Sequence, residues 1–316
     1  MSFYGCSLLS TQKFSLEKVT QLFSLTKTIE SALINNSLEF SAQWQELLQQ
    51  KVAMLVFFEP STRTSLSFQM ACERIRLPYI NFPAFEQSSL IKGESFEDTL
   101  FNVAAMKPDL IILRSSKGNE VTDFLEELKI PVVNAGSGVD GHPTQALLDA
   151  YTIQKRLGSV EGQKVLIVGD VTHSRVASSN LDLLRLLGAE VAICGPEEMM
   201  PKNEPKWQEI KSFNNLETAL EWATVCMGLR VQLERHNNKN GITTKEYSQN
   251  YCLNPEKLKI LSPNGLIMHP GPFVRDVDFS AELLHDPRCA VHAQVTHGVY
   301  IRAAILVSIL VEGMAS

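Results

Sequence analysis

Short apolar runs alternate with segments of helical periodicity along most of the chain, and this alternation constrains the fold more than any other feature. Runs of mainly branched apolar residues are typical of buried strands, whereas apolar residues spaced three or four apart are typical of helices. Strands alternating with helices predict parallel sheets with right-handed crossovers. The predicted strands are 52–58, 109–114, 132–134, 165–170, 190–194, 225–229 and 266–268. The predicted helices are 16–34, 67–75, 95–106, 121–128, 144–157, 175–187, 216–222 and 299–310.

The length of the chain predicts two domains. Its 316 residues exceed the usual size of a single hydrophobic core. We therefore predict an α/β protein with two tandem domains, each a mostly parallel sheet flanked by helices. The first covers 1–143, and the C-terminal helix at 295–316 is expected to pack back on it. The second covers 144–294 and begins with the helix that joins the two. Polar stretches at 201–205 and 236–254 are expected to be surface excursions of the second domain.

Composition and charge exclude several classes of protein. A net charge of −6 argues against broad nucleic-acid binding. The six cysteines are scattered without a C-x-x-C pair, so we expect reduced thiols in a cytoplasmic protein and no structural zinc. No signal peptide is apparent at the N-terminus. The apolar run 303–311 is too short to span a bilayer, so a packed helix is expected there and no membrane association.

The segment F-E-P-S-T-R-T-S, at 58–65, lies between a predicted strand and a predicted helix. Unpaired N–H groups at a helix N-terminus suit a phosphate. Hydroxyl donors from Ser61, Thr62 and Thr64 and the planar cation of Arg63 would add to such a site. An ordinary capped helix accounts for serine and threonine at this turn equally well.

Other polar segments also follow predicted strands, where open α/β sheets bind ligands. They are Arg114, G-H-P-T-Q at 141–145, G-D-V-T-H-S-R at 169–175, L-R-V-Q-L-E-R at 229–235 and H-P-G-P at 269–272. A lone arginine commonly forms a surface ion pair, a single histidine is commonly structural, and a Pro-Gly-Pro turn also suits a rigid connection. The 169–175 segment lacks G-x-G-x-x-G, which weakens a nicotinamide site. Arginines at four strand ends of an acidic protein suggest a small, multiply anionic ligand held between two domains.

The order and wording of these motifs resemble the aspartate and ornithine carbamoyltransferase family, and in particular its aspartate carbamoyltransferase catalytic chains. The resemblance spans nearly the whole chain and rests also on S-S-L-I-K-G-E-S at 88–95, H-P-T-Q-A-L-L-D at 142–149 and Q-V-x-x-G-V-x-x-R at 294–302. The first and third of the family's motifs, at 58–65 and 142–149, are shared with ornithine enzymes. The K-G-E loop, L-R-V-Q-x-E-R and a cysteine-free H-P-G-P favour the aspartate branch.

The resemblance implies a transferase that moves the carbamoyl group of carbamoyl phosphate to the amine of L-aspartate in pyrimidine (UMP) biosynthesis. It implies that Ser61, Thr62, Arg63 and Thr64 hold the phosphate. Thr64, Arg114 and His142 would donate to the carbonyl oxygen as it gains charge. Gln145 would orient the carbamoyl NH₂. The attacking group is the substrate's own amine, so neither a protein nucleophile nor a metal or organic cofactor is required.

For aspartate, the resemblance implies carboxylate anchors at Arg175 and Arg230, assisted by Gln232. Bidentate arginine–carboxylate pairing explains the residue type. The 269–272 turn would contribute Pro270 and Gly271 to carbamoyl phosphate and Gly271 and Pro272 to aspartate, with a cis peptide expected at Gly271–Pro272.

The resemblance also implies a homotrimer with shared active sites. Ser88 and Lys92 would enter the site from a neighbouring subunit, although a lysine before glycine is by default a solvated loop residue. Lys92 would act in catalysis and contact both substrates. A regulatory or dihydroorotase-like partner chain is left open by the sequence.

One departure from the family follows the H-P-G-P turn. The usual Asn-Arg-Gly continuation is replaced by Val274, Arg275 and Asp276.

Two alternatives to an aspartate carbamoyltransferase remain open. One is a carbamoyltransferase for ornithine or N-acetylornithine, and the other is a catalytically silent paralogue that serves as an assembly partner. The filled motif positions argue against the silent paralogue.

Overall fold

The computed structural model describes residues 3–35, 44–82, 93–118, 121–138, 141–202, 204–231 and 242–313. The chain divides into two compact units. Unit 1 comprises Met1–Leu147 and His297–Ser316, and unit 2 comprises Leu148–Thr296. Each division falls inside a helix, so two continuous helices connect the units.

Unit 1 contains a four-stranded parallel sheet with the strand order β2-β1-β3-β4. Its strands are β1 (Ala53–Phe57), β2 (Tyr79–Asn81), β3 (Leu110–Ser115) and β4 (Val132–Ser137). Its helices are α1 (Leu16–Asn35), α2 (44–48), α3 (Thr62–Ile75), α4 (Phe96–Ala105), α5 (Thr122–Glu127) and the start of α6 (Pro143–Leu157). Side chains of α4 and α5, among them Leu100 and Leu125, pack against Val56 and Ile111 of the sheet.

Unit 2 contains a five-stranded parallel sheet with the strand order β7-β6-β5-β8-β9. Its strands are β5 (Lys164–Val168), β6 (Glu190–Cys194), β7 (Lys211–Phe213), β8 (Val225–Gly228) and β9 (Leu266–Met268). Its helices are α7 (Arg175–Leu186), α8 (Leu216–Trp222), α9 (Thr244–Tyr251) and the start of α10 (Val291–Leu310). Leu166, Cys226 and Ile267 of three adjacent strands form the centre of its core. The predicted fold class, two tandem parallel α/β domains, is confirmed.

Several elements differ from the sequence-based expectation. Strands β2 and β7 were not predicted, because each is only three residues long and lies at a sheet edge with no fully buried side chain. The stretch 236–254 was expected to be a surface excursion, but its later part forms helix α9. A reciprocal capping box between Thr243 and Glu246 starts this helix, and Tyr247 buries its ring.

Helix α10 begins at Val291, well before the predicted start at 299. The argument that its apolar run is too short for a membrane is therefore wrong, since by length and composition the whole helix could span one. In the structure, 67% of the apolar stretch of this helix is buried inside the protein. Arg302 lies within this helix, where its guanidinium donates to the Ser67 hydroxyl at 2.8 Å and lies over the Phe68 ring. Such contacts are those of a helix packed in a protein core.

Candidate functional site

The turn between β1 and α3 places the predicted phosphate-binding residues at the carboxyl end of a central strand. Ser61 is the N-cap residue of α3, with φ −158° and ψ 87°, but its hydroxyl makes no capping hydrogen bond. A simple capping role therefore does not explain Ser61. Arg63 is exposed to solvent, whereas Thr64 in the first turn is buried. Desolvation lowers the pKa of Arg63 from its usual value. Guanidinium pKa values are high enough for it to keep its charge near neutral pH.

Arg114 lies near the carboxyl end of β3, directly opposite Phe57 at the end of β1. Its Nη1 donates to the Ala135 carbonyl of β4 at 3.1 Å, and its Nε lies 3.7 Å from Oε2 of Glu59. The arginine side chain is only 13% exposed. The ion pair is thus not an ordinary surface pair, and together with the bond to β4 it fixes the guanidinium at the edge of the sheet.

His142 and Gln145 occupy the turn and first residues of α6, and both are buried. The His142 carbonyl accepts the N–H groups of Gln145 and Ala146 at 3.0 and 3.1 Å. Its ring Nδ1 lies 3.5 Å from the Thr144 hydroxyl. Paired backbone hydrogen bonds between Ser137 and Gly141 fold this turn back on the end of β4.

The structure therefore gathers those predicted carbamoyl phosphate residues that belong to unit 1 and are described along one edge of its sheet, whereas Pro270 and Gly271 lie in unit 2. Arg63 and Thr64 follow β1, Arg114 is the penultimate residue of β3, and His142 follows β4, and these three strands are adjacent. Parallel strands present their carboxyl ends at a common edge, which is the usual ligand-binding edge of an α/β sheet. Ser88 and Lys92, predicted for the same site, lie outside the described residues.

Unit 2 repeats this arrangement for the predicted aspartate residues. Arg175 is the first residue of α7, after β5, and the preceding Ser174 caps the helix by accepting the Ala177 N–H at 3.1 Å. Arg230 follows β8, and the H-P-G-P turn follows β9. Strands β5, β8 and β9 are neighbours in the sheet. Gln232, the third predicted aspartate ligand, lies outside the described residues.

The 269–272 turn has the geometry that the family resemblance implies. The Gly271–Pro272 peptide is cis, as expected, and Gly271 has a φ of 66°. The Gly271 N–H donates to Nδ1 of His269 at 2.9 Å, which closes the turn. Glycine adopts this positive φ without the steric cost that a side chain would add.

Asp278 is a candidate functional residue that no sequence pattern singled out. It is buried, and its carboxylate accepts the backbone N–H groups of Val274 at 2.9 Å and Val231 at 3.3 Å. Burial raises its pKa to about 7, although these hydrogen bonds and the charge of Arg230 act in the opposite direction. Perturbed carboxyl groups of this kind cluster at functional sites. Its only sequence signal was its position just after the segment that departs from the family.

The described residues contain no group of three histidine, cysteine, aspartate or glutamate side chains that could hold a metal ion. Asp170 and His173, in the 169–175 segment, instead pair with each other at 3.0 Å. Burial raises the pKa of the Cys72 and Cys194 thiols to about 12, so both are protonated and unreactive at neutral pH.

Comparison with known proteins identifies the family. Residues 7–155 match the carbamoyl-P binding domain of aspartate/ornithine carbamoyltransferases, and residues 161–309 match their Asp/Orn binding domain. The chain belongs to the aspartate/ornithine carbamoyltransferase family. The two matches together cover both units.

Relatives that match nearly the whole chain are named aspartate carbamoyltransferase catalytic subunit. The aspartate carbamoyltransferase catalytic subunit of Sulfurovum sp. (strain NBC37-1) is 41% identical over 308 residues, which cover 96% of this chain and 98% of the relative. The same subunit of Helicobacter pylori (strain Shi470) is 38% identical over 310 residues, with coverages of 96% and 98%.

Solved structures show the same fold. Aspartate transcarbamoylase from Trypanosoma cruzi in complex with carbamoyl phosphate is 28% identical and superimposes with a TM-score of 0.87 over 98% of this chain and 97% of that one. The same enzyme with carbamoyl phosphate and aspartate is 27% identical, with a TM-score of 0.84 and coverage of 98% of both chains.

Proposed function

We propose that this chain is an aspartate carbamoyltransferase, which converts carbamoyl phosphate and L-aspartate into N-carbamoyl-L-aspartate and phosphate. The observation that carries the proposal is the near-complete match to catalytic subunits of that name. Cationic side chains at the carboxyl edges of both sheets support it, because both substrates are anions. The Trypanosoma cruzi enzyme, which has the same fold, has been solved with both of these substrates bound.

Unit 1 carries the groups that the first substrate requires. Ser61, Thr62, Arg63 and Thr64 hold the phosphate at the start of α3. Arg114, His142 and Thr64 donate to the carbamoyl oxygen, and Gln145 orients the carbamoyl NH₂. The fixed guanidinium of Arg114 suits this role, since a donor that is already in place costs no reorganisation when charge develops.

The reaction needs no protein nucleophile. The aspartate amine attacks the carbamoyl carbon, a C–N bond forms, and the C–O bond to phosphate breaks as the carbonyl is restored. The departing phosphate accepts the proton that the amine loses. Catalysis then depends on positioning the two substrates and on charge placed in advance around the carbonyl and phosphate oxygens.

Unit 2 carries the aspartate anchors. Arg175 and Arg230 each offer a planar set of donors for one carboxylate, and Gln232 assists. Pro270, Gly271 and Pro272 place backbone groups of the cis turn near the substrates. Two arginines favour a substrate with two carboxylates over ornithine, whose side chain ends in a cation that arginine repels.

The assembly and location of the enzyme complete the proposal. We infer a cytoplasmic homotrimer in which Ser88 and Lys92 of one subunit complete the site of its neighbour. The reaction supplies an early intermediate of pyrimidine biosynthesis. A regulatory or dihydroorotase-like chain would be an additional partner, detectable by the size of the particle in native extract.

A substrate comparison tests the function directly. Purified protein with carbamoyl phosphate should release phosphate with L-aspartate and show only background rates with ornithine or N-acetylornithine. Formation of N-carbamoyl-L-aspartate, identified by mass spectrometry, confirms the reaction. Turnover with ornithine but not aspartate would overturn the assignment, as would absence of turnover with every amino acid.

A further inference from the structure

Asp278 connects two segments of unit 2 that the proposed function assigns to aspartate binding. Its Oδ2 accepts the N–H of Val231, the residue that follows Arg230, at 3.3 Å. Its Oδ1 accepts the N–H of Val274, two residues beyond the Gly271–Pro272 turn, at 2.9 Å. Residues 231 and 278 lie 47 positions apart in the chain, so this one carboxylate fixes the spacing between distant segments.

The surroundings of Asp278 consist of donors and a cation. Nδ1 of His269 accepts the Gly271 N–H, so a neutral ring carries its proton on Nε2. That Nε2 lies 3.8 Å from Oδ1 of Asp278, outside hydrogen-bond distance but within electrostatic reach. The charge of Arg230 also acts on the carboxylate. These neighbours are hydrogen-bond donors or a cation, so none of them offers an acceptor to a protonated Asp278.

Aromatic rings pack around His269, and both His269 and Asp278 are buried. The rings of Phe273 and Phe279 lie 5.7 and 5.5 Å from the His269 ring and 5.1 Å from each other. Tyr247 and Cys252, at α9, also face Asp278. Burial raises the Tyr247 pKa well above its usual value and the Cys252 pKa to about 11, so both are neutral near pH 7. The charge of the cluster is therefore governed by Asp278, His269, Arg230 and nearby Asp276.

We propose that Asp278 is a positioning residue for L-aspartate, holding the segment that carries Arg230 and the cis-proline turn in the arrangement that binds the substrate. The inference rests on the proposed function and adds a residue to it. Asp278 itself touches protein groups and acts through Arg230 and the turn. Its loss should therefore weaken aspartate binding and affect carbamoyl phosphate binding much less, because of the residues predicted for carbamoyl phosphate only Pro270 and Gly271 belong to this turn.

A carboxylate is required because its two oxygens only accept. In Asp278→Asn the shape is kept, but the NH₂ group must face one of the two N–H donors, and that donor loses its partner. An unpaired buried donor disturbs the local arrangement strongly enough to predict an increase of roughly tenfold in the KM for aspartate. The KM for carbamoyl phosphate should stay within about twofold, since most of its predicted contacts lie in unit 1, which the substitution does not touch.

The test compares Asp278→Asn with Asp286→Asn in steady-state kinetics. Asp286 is also in unit 2 and pairs with Arg288 at 2.8 Å, outside the proposed site. The control should leave the aspartate KM unchanged.

Succinate, which has both carboxylates of aspartate without its amine, is then used as a competitive inhibitor at about pH 6 and about pH 8, on either side of the Asp278 pKa. Succinate should inhibit Asp278→Asn weakly at both pH values. Because succinate itself is partly protonated at about pH 6, which weakens inhibition of both proteins alike, the loss of inhibition at the lower pH should be larger for the wild type, in which Asp278 also becomes protonated.

The outcomes separate the two hypotheses. A wild-type protein without aspartate carbamoylation defeats the proposed function. An active wild type whose Asp278→Asn variant keeps the wild-type aspartate KM and the same pH dependence of succinate inhibition defeats the role of Asp278. If the variant does not fold by circular dichroism, Asp278→Glu decides, because its longer side chain displaces the carboxylate from the Val231 and Val274 N–H groups without removing its charge. A wild-type KM for aspartate in that variant would then overturn the positioning role.

Discussion

Gln294 donates a hydrogen bond of 2.8 Å from its Nε2 to Oδ1 of Asp149, and both side chains are buried. The other atom of the same amide, Oε1, accepts the backbone N–H of His269 at 2.9 Å. The second oxygen of Asp149 accepts from Asn180 at 2.9 Å. One glutamine thus connects helix α6 with the turn that carries Pro270, and Asn180 extends the network to α7. Asp149 is the last residue of the H-P-T-Q-A-L-L-D motif, and Gln294 is the first residue of the Q-V-x-x-G-V-x-x-R motif.

We expect Gln294→Met to destabilise the protein by about 2–4 kcal/mol, because two buried polar groups each lose a partner while the volume is nearly conserved. Denaturant unfolding followed by circular dichroism measures the loss. Gln208→Met is the matched control, since Gln208 is exposed in the same unit. It should change the stability by no more than about 0.5 kcal/mol. Equal effects of the two substitutions would contradict a structural role for the network.

At position 276, we expect glycine to give a more stable protein than alanine. The φ of 60° at Asp276 lies in the left-handed region, at the position where the family commonly has glycine. Asp276→Gly should therefore be more stable than Asp276→Ala by about 1 kcal/mol, because only glycine adopts this conformation without strain. At Gln249, an exposed position in helix α9, the order of the same two substitutions should be reversed. Thermal unfolding of the four variants is the measurement, and the same order at both positions would disprove the strain at Asp276.

Much of the fold was predictable because its signals are local. Val56 and Ile111 lie in apolar runs that indicate buried strands. Thr64 and Arg175 lie where the pattern of a strand ends and that of a helix begins. The edge strands β2 and β7 carried no such signal, since neither buries a continuous apolar run. The Ser61 hydroxyl does not cap its helix, although serine at that position favours capping. Asp278 could not be found locally, because one of its two donors is Val231, far away in the chain.

The raised pKa of Asp278 predicts how stability depends on pH. Its folded-state pKa of about 7 lies above the usual value of 3.8, so between these values the native state holds a proton that the unfolded chain has released. The contribution of this group to stability is therefore full below about pH 4 and falls by about 1.4 kcal/mol for each pH unit up to about pH 7. Asp278→Asn lacks this dependence. Denaturant unfolding across that range should show the variant gaining stability relative to wild type as the pH rises. A constant difference between the two would show that the Asp278 pKa is not raised.

We expect Arg63 to act on carbamoyl phosphate and Arg230 to bind aspartate. Arg63→Ala should reduce turnover by a factor of roughly 100 or more, because it removes a preorganised cation from charge that develops in the transition state. Arg230→Ala should chiefly raise the aspartate KM and leave carbamoyl phosphate binding, measured by calorimetry, near the wild-type value. Loss of carbamoyl phosphate binding in Arg230→Ala, with an unchanged circular dichroism spectrum, would contradict the assignment of each substrate to its own unit.

The proposed sharing of active sites between subunits makes a prediction that no monomeric enzyme could satisfy. If Arg63 acts in its own subunit and Lys92 acts in the neighbouring one, Arg63→Ala and Lys92→Ala trimers should each be nearly inactive. In a mixed trimer, a site that takes Arg63 from a Lys92→Ala chain and Lys92 from an Arg63→Ala chain has both wild-type residues. Removing one cationic donor costs roughly 3 kcal/mol of transition-state stabilisation, so even a minority of restored sites should stand well above background. Mixing the two variants under subunit-exchange conditions should restore activity, with exchange verified by native mass spectrometry. Two samples of the same variant mixed in the same way are the control. Verified exchange without restored activity would show that Lys92 does not complete a neighbour's site.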